Sequence, residues 1–291
     1  MPQITLSPQV PDFFVEMDWR DRAAQPAKFD ADLVDAFEAA KVILLKNPPF
    51  EVDFELLSRV SFPAGRKYQK LRRTFLTRPK LYKPRVARAM YGAFGTDVGF
   101  YLKFRKAVNR LSQDLTDFKT KVFAGYRFLK RDISWRFTPT GPEGLHVDYV
   151  RSAEDLQYVR IFVNVDNAPR VWTLSYQLED LIDRYFDFAG LADLQGAHAN
   201  EICNRLNQTV FSAHERLPGG PLPSHRVAFQ PGEVWLCESR LNSHEIFSGR
   251  RMVGTHFPAD PQTMRDPSLR VETRVARAMA RHAPAARAVA E

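Results

Sequence analysis

The sequence has few cysteines and no long apolar run. Only Cys203 and Cys237 are present among 291 residues, which excludes a disulfide framework and a four-thiolate zinc site and favours a reducing compartment. No stretch approaches eighteen uninterrupted apolar residues, so we expect no transmembrane helix. The start, MPQITLSPQV, has neither the basic leader nor the apolar run of a secretory signal peptide. We therefore expect a cytoplasmic protein.

Acidic residues are absent from Leu56 to Phe94, which we call the basic segment. It contains eleven of the 42 lysines and arginines, so the rest of the chain has 31 cations against 34 anions. The net charge of +8 therefore belongs to this segment. Such a segment attracts nucleic acid, acidic lipid headgroups or an anionic sugar, or is simply a solvated surface. The basic residues are Arg59, Arg66, Lys67, Lys70, Arg72, Arg73, Arg78, Lys80, Lys83, Arg85 and Arg88.

Apolar residues recur at helical spacing in several places. The longest such pattern predicts a helix over about 97–123, and shorter ones predict helices at 30–41, at two places between 175 and 217, and from Leu269 onward. The longest stripe consists of Tyr101, Phe104, Val108, Leu111, Leu115, Phe118 and Val122. It is too short and isolated for a coiled coil, so we expect a single helix packed on a sheet.

Between and after these helices the period changes to two, which indicates strands. The clearest is 158–165, in which Val159, Ile161 and Val163 share one face while Arg160 and Asn164 lie on the other. This predicts a sheet backed by helices, with a polar cavity in front. Further strands are expected at 42–45, 134–138, 170–174, 226–229, 233–237 and 251–257.

These patterns predict a single domain of the α+β, mainly β class. Its core, at 126–262, would be a β-barrel or sandwich with a helical insertion at about 175–217. Residues 1–125 would form a helical or mixed support region, and 263–291 a C-terminal helix and tail.

The tripeptide His146-Val147-Asp148 follows a predicted turn at 141–144. Alternation along an extended chain puts an imidazole and a carboxylate on one side, where a distant third ligand completes a two-histidine, one-carboxylate metal site. A His-x-acid pair alone is weak, because about one is expected by chance in this composition. His244, 98 residues downstream, is the candidate third ligand and is expected in a loop before a Ser248-Gly249 turn and the final strand. His256, on that strand, is the rival candidate for the third ligand.

Several segments together resemble the Kdo hydroxylases, which are iron(II)- and 2-oxoglutarate-dependent dioxygenases acting on the Kdo sugar of lipopolysaccharide. The similarity covers about 122–280 well and the N-terminal part more loosely. The segments are RFTPTGPEGLHVDYV, RIFVNVDNAPRVW, FQPGEVWLCESRLNSHEIFSG and DPSLRVETRVARAMA. Tyr149-Val150-Arg151, after the metal pair, and the basic segment depart from that family.

The resemblance implies that the core at 126–262 is a double-stranded β-helix, the jelly-roll of cupin-like proteins. It further implies that His146, Asp148 and His244 hold Fe(II), that 2-oxoglutarate and O2 are co-substrates, and that a C–H bond is hydroxylated. Many such oxygenases place a basic residue for the far carboxylate of 2-oxoglutarate ten to fourteen positions after the second histidine, where this chain has only His256 as an ionisable residue. We therefore expect another cation to take this role. The candidates, in order, are Arg170 and Arg160, followed by Asn164 and by Arg250 and Arg251, which lie closer to the turn; substrate contacts are expected from Arg136, Tyr149 and Arg151.

The expected substrate is an anionic glycolipid, Kdo-bearing lipid A precursor, with the basic segment and the C-terminal tail holding the protein at the cytoplasmic face of the inner membrane. Two alternatives remain open. The same chemistry could act on another anionic substrate, such as a protein, a nucleic acid or a small acid. A non-enzymatic nucleic-acid-binding protein built on the basic segment is the weaker alternative.

Overall fold

The structure is a computed structural model in which ten strands and eight α-helices are defined over the described part of the chain. It describes residues 2–63, 65, 68–78, 84–130, 132–141, 143–149, 155–213 and 216–282, with only the backbone described at 85 and 86. The strands are β1 Gln3–Thr5, β2 Phe14–Asp18, β3 Val42–Lys46, β4 Leu71–Arg72, β5 Asp132–Thr140, β6 Gln157–Asn164, β7 Arg170–Gln177, β8 His225–Phe229, β9 Val234–Cys237 and β10 Asn242–Ala259.

Two sheets share the long last strand, β10. Its first half pairs antiparallel with β7 and thereby joins the order β1-β8-β7-β10, while its second half lies between β5 and β6. From β6 the second sheet continues through β9, β3 and β2, and β4 pairs with β5. The expected double-stranded β-helix core of an α+β, mainly β protein is confirmed.

The course of β10 differs from the sequence prediction. His244 lies within the strand and not in a loop, and Ser248-Gly249 is a bend within it and not a turn that ends a strand. Bulges interrupt the register between 242 and 244, 246 and 248, and 249 and 251, so the strand changes direction without ending. Gly249 has a φ of +146°, a backbone conformation that favours glycine.

The predicted two-faced strand at 158–165 is confirmed as β6. Val159, Ile161 and Val163 are fully buried in a cluster with the helices on one side of the second sheet. Phe162, on the opposite face, packs against Trp172 of β7, so this face looks toward the other sheet. The polar residues of that face therefore lie between the sheets, where the site is found.

The first fifty residues contribute strands as well as a helix. The apolar run 42–45 is buried throughout because β3 lies between β2, to which it is parallel, and β9, to which it is antiparallel. β1 pairs with β8 at the edge of the other sheet.

The predicted helices are present, with slightly different bounds. The longest is capped by Asp97, whose carboxylate accepts a hydrogen bond from the Phe100 amide, and buries the predicted stripe from Phe104 to Val122. No helix in the described ranges is both long enough and apolar enough to cross a membrane. The helices are α1 Pro26–Glu38, α2 Phe54–Ser58, α3 Arg73–Thr77, α4 Pro84–Phe94, α5 Val98–Val122, α6 Leu178–Tyr185, α7 Ala199–Ala213 and α8 Val271–Ala280.

Packing of α5 on the second sheet should be a main source of stability. Leu111 is 2% exposed, whereas Leu102 on the same helix is 52% exposed. Leu111→Ala should lower the free energy of unfolding by about 2–5 kcal/mol, since it leaves a cavity in the core, and Leu102→Ala by less than about 0.5 kcal/mol. Urea unfolding of both variants measures the difference. Equal losses would contradict this packing.

Candidate functional site

Three potential metal ligands converge at the open side of β10. One ligand atom from each of His146, Asp148 and His244 can be chosen so that all three lie within 4.8 Å of one another. Backbone pairing brings them together, because the His146 amide donates to the His244 carbonyl at 3.0 Å and the His244 amide donates back at 2.8 Å. The His146 Nε2 and Asp148 Oδ1 atoms are 3.8 Å apart. The expected triad is therefore brought together.

Both imidazoles are oriented by backbone carbonyls. The Nδ1 atom of His146 lies 2.8 Å from the Gly144 oxygen, and Nδ1 of His244 lies 3.0 Å from the Asn242 oxygen. A neutral ring that donates from Nδ1 leaves its Nε2 lone pair free for a metal ion. Burial, with the nearby His146, lowers the pKa of His244 to about 4, so this ring is neutral at pH 7. The Nδ1 contacts therefore leave the Nε2 atom of each ring available as a metal ligand.

Asp148 is held as a carboxylate on its other side. Burial opposes its ionisation, but the Arg160 guanidinium, the two histidines and the Ser239 hydroxyl outweigh burial and hold its pKa well below the usual range. Arg160 Nη1 lies 2.9 Å and Ser239 Oγ 2.6 Å from Oδ2. These contacts occupy Oδ2 and leave Oδ1 on the side of His146.

This donor set fits a redox-active divalent metal better than a structural zinc ion. Two imidazole nitrogens and one carboxylate oxygen on one face are the ligands of non-haem Fe(II) sites and leave the opposite positions open. Structural zinc sites use four protein ligands in a closed tetrahedron. Within the described residues, no other group of three or more histidine, cysteine, aspartate or glutamate side chains could hold an ion.

Sequence reasoning missed Asn207, which holds the metal pair from α7. Its side-chain oxygen accepts from the Val147 amide at 3.1 Å, and its Nδ2 donates to the Val147 carbonyl at 2.9 Å. The Asn207 side chain thus satisfies both backbone polar groups of Val147, as a neighbouring strand would, and fixes the residue between the two ligands. A signal was available: Asn207 lies four residues after Cys203 and three before Val210, both on the buried stripe of this helix.

Two residues of β7, Arg170 and Trp172, have buried donors without acceptors in the described part of the chain. Arg170 is 1% exposed, yet none of its three guanidinium nitrogens has a hydrogen-bond partner among the described residues, and the same holds for Trp172 Nε1. The Trp172 ring stacks on the His244 ring at 5.1 Å. Burial and the charge of Arg136 lower the pKa of Arg170 to about 9. A buried cation without acceptors is costly unless an anion binds it.

Three other cofactor-binding candidates have protein partners. Arg160 bonds Asp148. Asn164 donates to the carbonyls of Ala168 and Phe229, both at 2.9 Å. Arg251 donates to Asp166 at 2.6 Å and to the Val60 carbonyl at 2.7 Å.

The substrate candidates lie in different surroundings. Arg136 is 4% exposed and donates to Thr140 at 2.7 Å and to Glu143 at 3.0 Å. Tyr149 is 40% exposed and lines a cavity next to Asp148. Arg151 lies outside the described residues. The roles assigned to these three residues stay predictions.

His256, the rival third ligand, does not join the metal group. It lies in the same cavity as Tyr149, with its ring 4.4 Å from that of Tyr158. Burial and the nearby Arg160 charge lower its pKa to about 4, so this ring too is neutral at pH 7.

Comparison with known proteins gave matches among solved structures only. The Kdo hydroxylase KdoO, a non-heme Fe(II) alpha-ketoglutarate-dependent dioxygenase, matches in complex with cobalt(II) with a TM-score of 0.64 at 13% identity, over 92% of this chain and 96% of that chain. Its complex with alpha-ketoglutarate and Fe(III) matches over the same shares with a TM-score of 0.63 at 12% identity. No protein-family model and no curated protein matches the chain.

These matches assign the chain to the fold of the Fe(II)- and 2-oxoglutarate-dependent dioxygenase KdoO. At this identity the likeness shows the fold alone. The sequence resemblance to Kdo hydroxylases is thus confirmed for the fold, and the chemistry rests on the residues of this chain.

Asn207→Ala should weaken metal binding about 10- to 100-fold, because loss of an outer contact to a metal site typically costs this much. Co(II) is a suitable probe, and its affinity and visible absorption are measured by titration. Gln208→Ala, on the exposed side of the same helix turn, is the control and should bind Co(II) like the wild type. A purely structural role for Asn207 would instead lower the melting temperature and leave Co(II) affinity unchanged.

Proposed function

We propose that this protein is an Fe(II)- and 2-oxoglutarate-dependent dioxygenase that hydroxylates a C–H bond. The observation that carries the proposal is a two-histidine, one-aspartate cluster together with unsatisfied buried donors on β7: Trp172, whose ring stacks on His244, and Arg170, two residues before it. A dicarboxylate such as 2-oxoglutarate can chelate the metal with its keto acid end and place its far carboxylate against a buried guanidinium. Neither feature alone requires this co-substrate.

Bound Fe(II) would supply oxygen activation, with O2 and 2-oxoglutarate converted into succinate, CO2 and a hydroxyl group on the substrate. The protein holds the reactants in place and keeps the charges fixed. His146, Asp148 and His244 would hold the metal, and Arg160 with Ser239 keeps Asp148 ionised and oriented. Trp172 packs against His244 and closes the inner side of the site with apolar surface.

The substrate we propose is the Kdo residue of a lipid A precursor. The sequence resemblance and the shared fold with KdoO, which is described as a Kdo hydroxylase, support it. The basic segment also fits an anionic glycolipid, and we propose a cytoplasmic protein in peripheral contact with the inner membrane surface, without nucleic acid as a partner. The same chemistry on another anionic substrate is the alternative.

Arg170→Met should weaken 2-oxoglutarate binding by about 2–5 kcal/mol, the cost of truncating one partner of a buried charge pair. Calorimetric titration of the Co(II)-loaded protein measures this loss, and Arg250→Met, at an exposed position, is the control. Because the substitution removes a buried cation without acceptors, the ligand-free variant should be at least as stable as the wild type. Co-substrate affinity within twofold of the wild type would contradict the role of Arg170.

Incubation with Fe(II), 2-oxoglutarate, air and a Kdo-bearing lipid A precursor tests the activity. We expect succinate together with a gain of one oxygen atom in the glycolipid by mass spectrometry, and neither product with Asp148→Ala. If succinate rises only when a different acid or macromolecule is added, that molecule and not Kdo is the substrate. A wild-type protein that binds neither Co(II) nor 2-oxoglutarate would overturn the dioxygenase proposal itself.

A further inference from the structure

The cavity next to the metal cluster has a volume of about 360 Å³ and includes Asp148 in its wall. It lies on the Oδ2 side of that carboxylate, since Arg160 and Ser239, which bond Oδ2, also line it. It is separate from the proposed 2-oxoglutarate position, because Arg170 and Trp172 are not among its lining residues. A molecule in this cavity lies next to the metal ligands without occupying the proposed co-substrate position.

Four cationic side chains from separate parts of the chain surround the cavity. Two of them, Lys70 and Arg72, belong to the basic segment, and the others are Arg160 and Arg240. Three carboxylates also line it, but two of these are engaged inside the protein: Asp148 bonds Arg160, and the fully buried Glu238 bonds Arg240 at 3.2 Å. The lining thus has one more cation than carboxylate, and a divalent metal ion on Asp148 would compensate the charge of that carboxylate.

The cations are incompletely satisfied. Lys70 is exposed and lines the cavity, and none of the described carboxylates lies within 4 Å of its ammonium group. Arg240 is 1% exposed, and its Nη1 has no partner there, nor does Arg160 Nε. Arg72 is only weakly engaged, because its guanidinium lies 3.8 Å from Asp132 and both side chains are partly exposed. An anion in the cavity would satisfy several of these donors together.

We infer that this cavity binds the anionic group, a carboxylate or a phosphate, of the molecule that is oxidised, and that Lys70 is the residue that selects for that charge. The inference rests on the proposed function for the identity of the site. It also assigns a role to part of the basic segment, because Lys70 and Arg72 bring its charge to the metal site. The neutral His256, in the same wall, can donate or accept a hydrogen bond without adding charge.

Binding of an anion is tested without relying on activity. The protein is labelled with ¹³C-histidine, loaded with Zn(II) and 2-oxoglutarate, and titrated with methyl phosphate while the His256 ring signal, assigned with His256→Gln, is followed. We expect a saturable shift in the wild type, at least fivefold weaker binding in Lys70→Met, and recovery in Lys70→Arg. Lys103→Met, an exposed lysine on α5 outside this cavity, should bind like the wild type.

Absence of a His256 shift in the wild type, or equal affinity in Lys70→Met, would overturn the inference. Turnover measurements then test the proposed substrate separately from the anion site. With a Kdo-bearing lipid A precursor, Lys70→Met should raise KM about tenfold and leave kcat within twofold, since the charge acts in binding. A wild type that does not oxidise this glycolipid would remove Kdo as the substrate, while the methyl phosphate titration still decides whether the cavity binds anions.

Discussion

The bend of β10 is the constraint on which the rest of the structure depends. A single strand pairs with β7 before the bend and with β5 and β6 after it, so its first half carries His244 into the site and its second half anchors it in the other sheet. A side chain at the bend would collide with Arg170, because a Cβ on Gly249 would lie 2.8 Å from Arg170 Nη1. Glycine therefore permits both the bend and the buried guanidinium.

Charge is distributed around the site so that each group has one role. Arg160 and Ser239 fix one oxygen of Asp148 and leave the other for a metal ion. Arg251 is paired with Asp166 and links β10 to the loop after β6. Arg170 alone among these arginines lacks any partner for its guanidinium within the described residues. A buried guanidinium without acceptors is costly, and a bound anion would offset that cost.

Much of the fold could be predicted from the sequence, because its signals are local. The stripe of α5 and the alternation of β6 specify which faces are buried, and both were correct. The continuity of β10 could not be predicted in this way, since Ser248-Gly249 reads as a turn in any local scheme and only pairing with two sheets turns it into a bend.

The candidate site could be predicted only where its signals are local in the sequence. His146 and Asp148 are neighbours on an extended chain, but bringing His244 to them requires a backbone pairing across 98 residues. The sequence places Arg170 at the start of the predicted strand 170–174, whereas its lack of partners is visible only in three dimensions. The place of Asn207 on the buried stripe of α7 indicates that it faces the interior, but its bonds to the Val147 backbone are visible only in three dimensions.

The most direct measurement is a crystal structure of the protein grown without oxygen in the presence of Fe(II) and 2-oxoglutarate, with anomalous diffraction at the iron edge. We expect one iron peak bound by His146, Asp148 and His244, and 2-oxoglutarate with its far carboxylate on Arg170. An iron peak elsewhere, or 2-oxoglutarate that leaves Arg170 without a partner, would contradict this expectation.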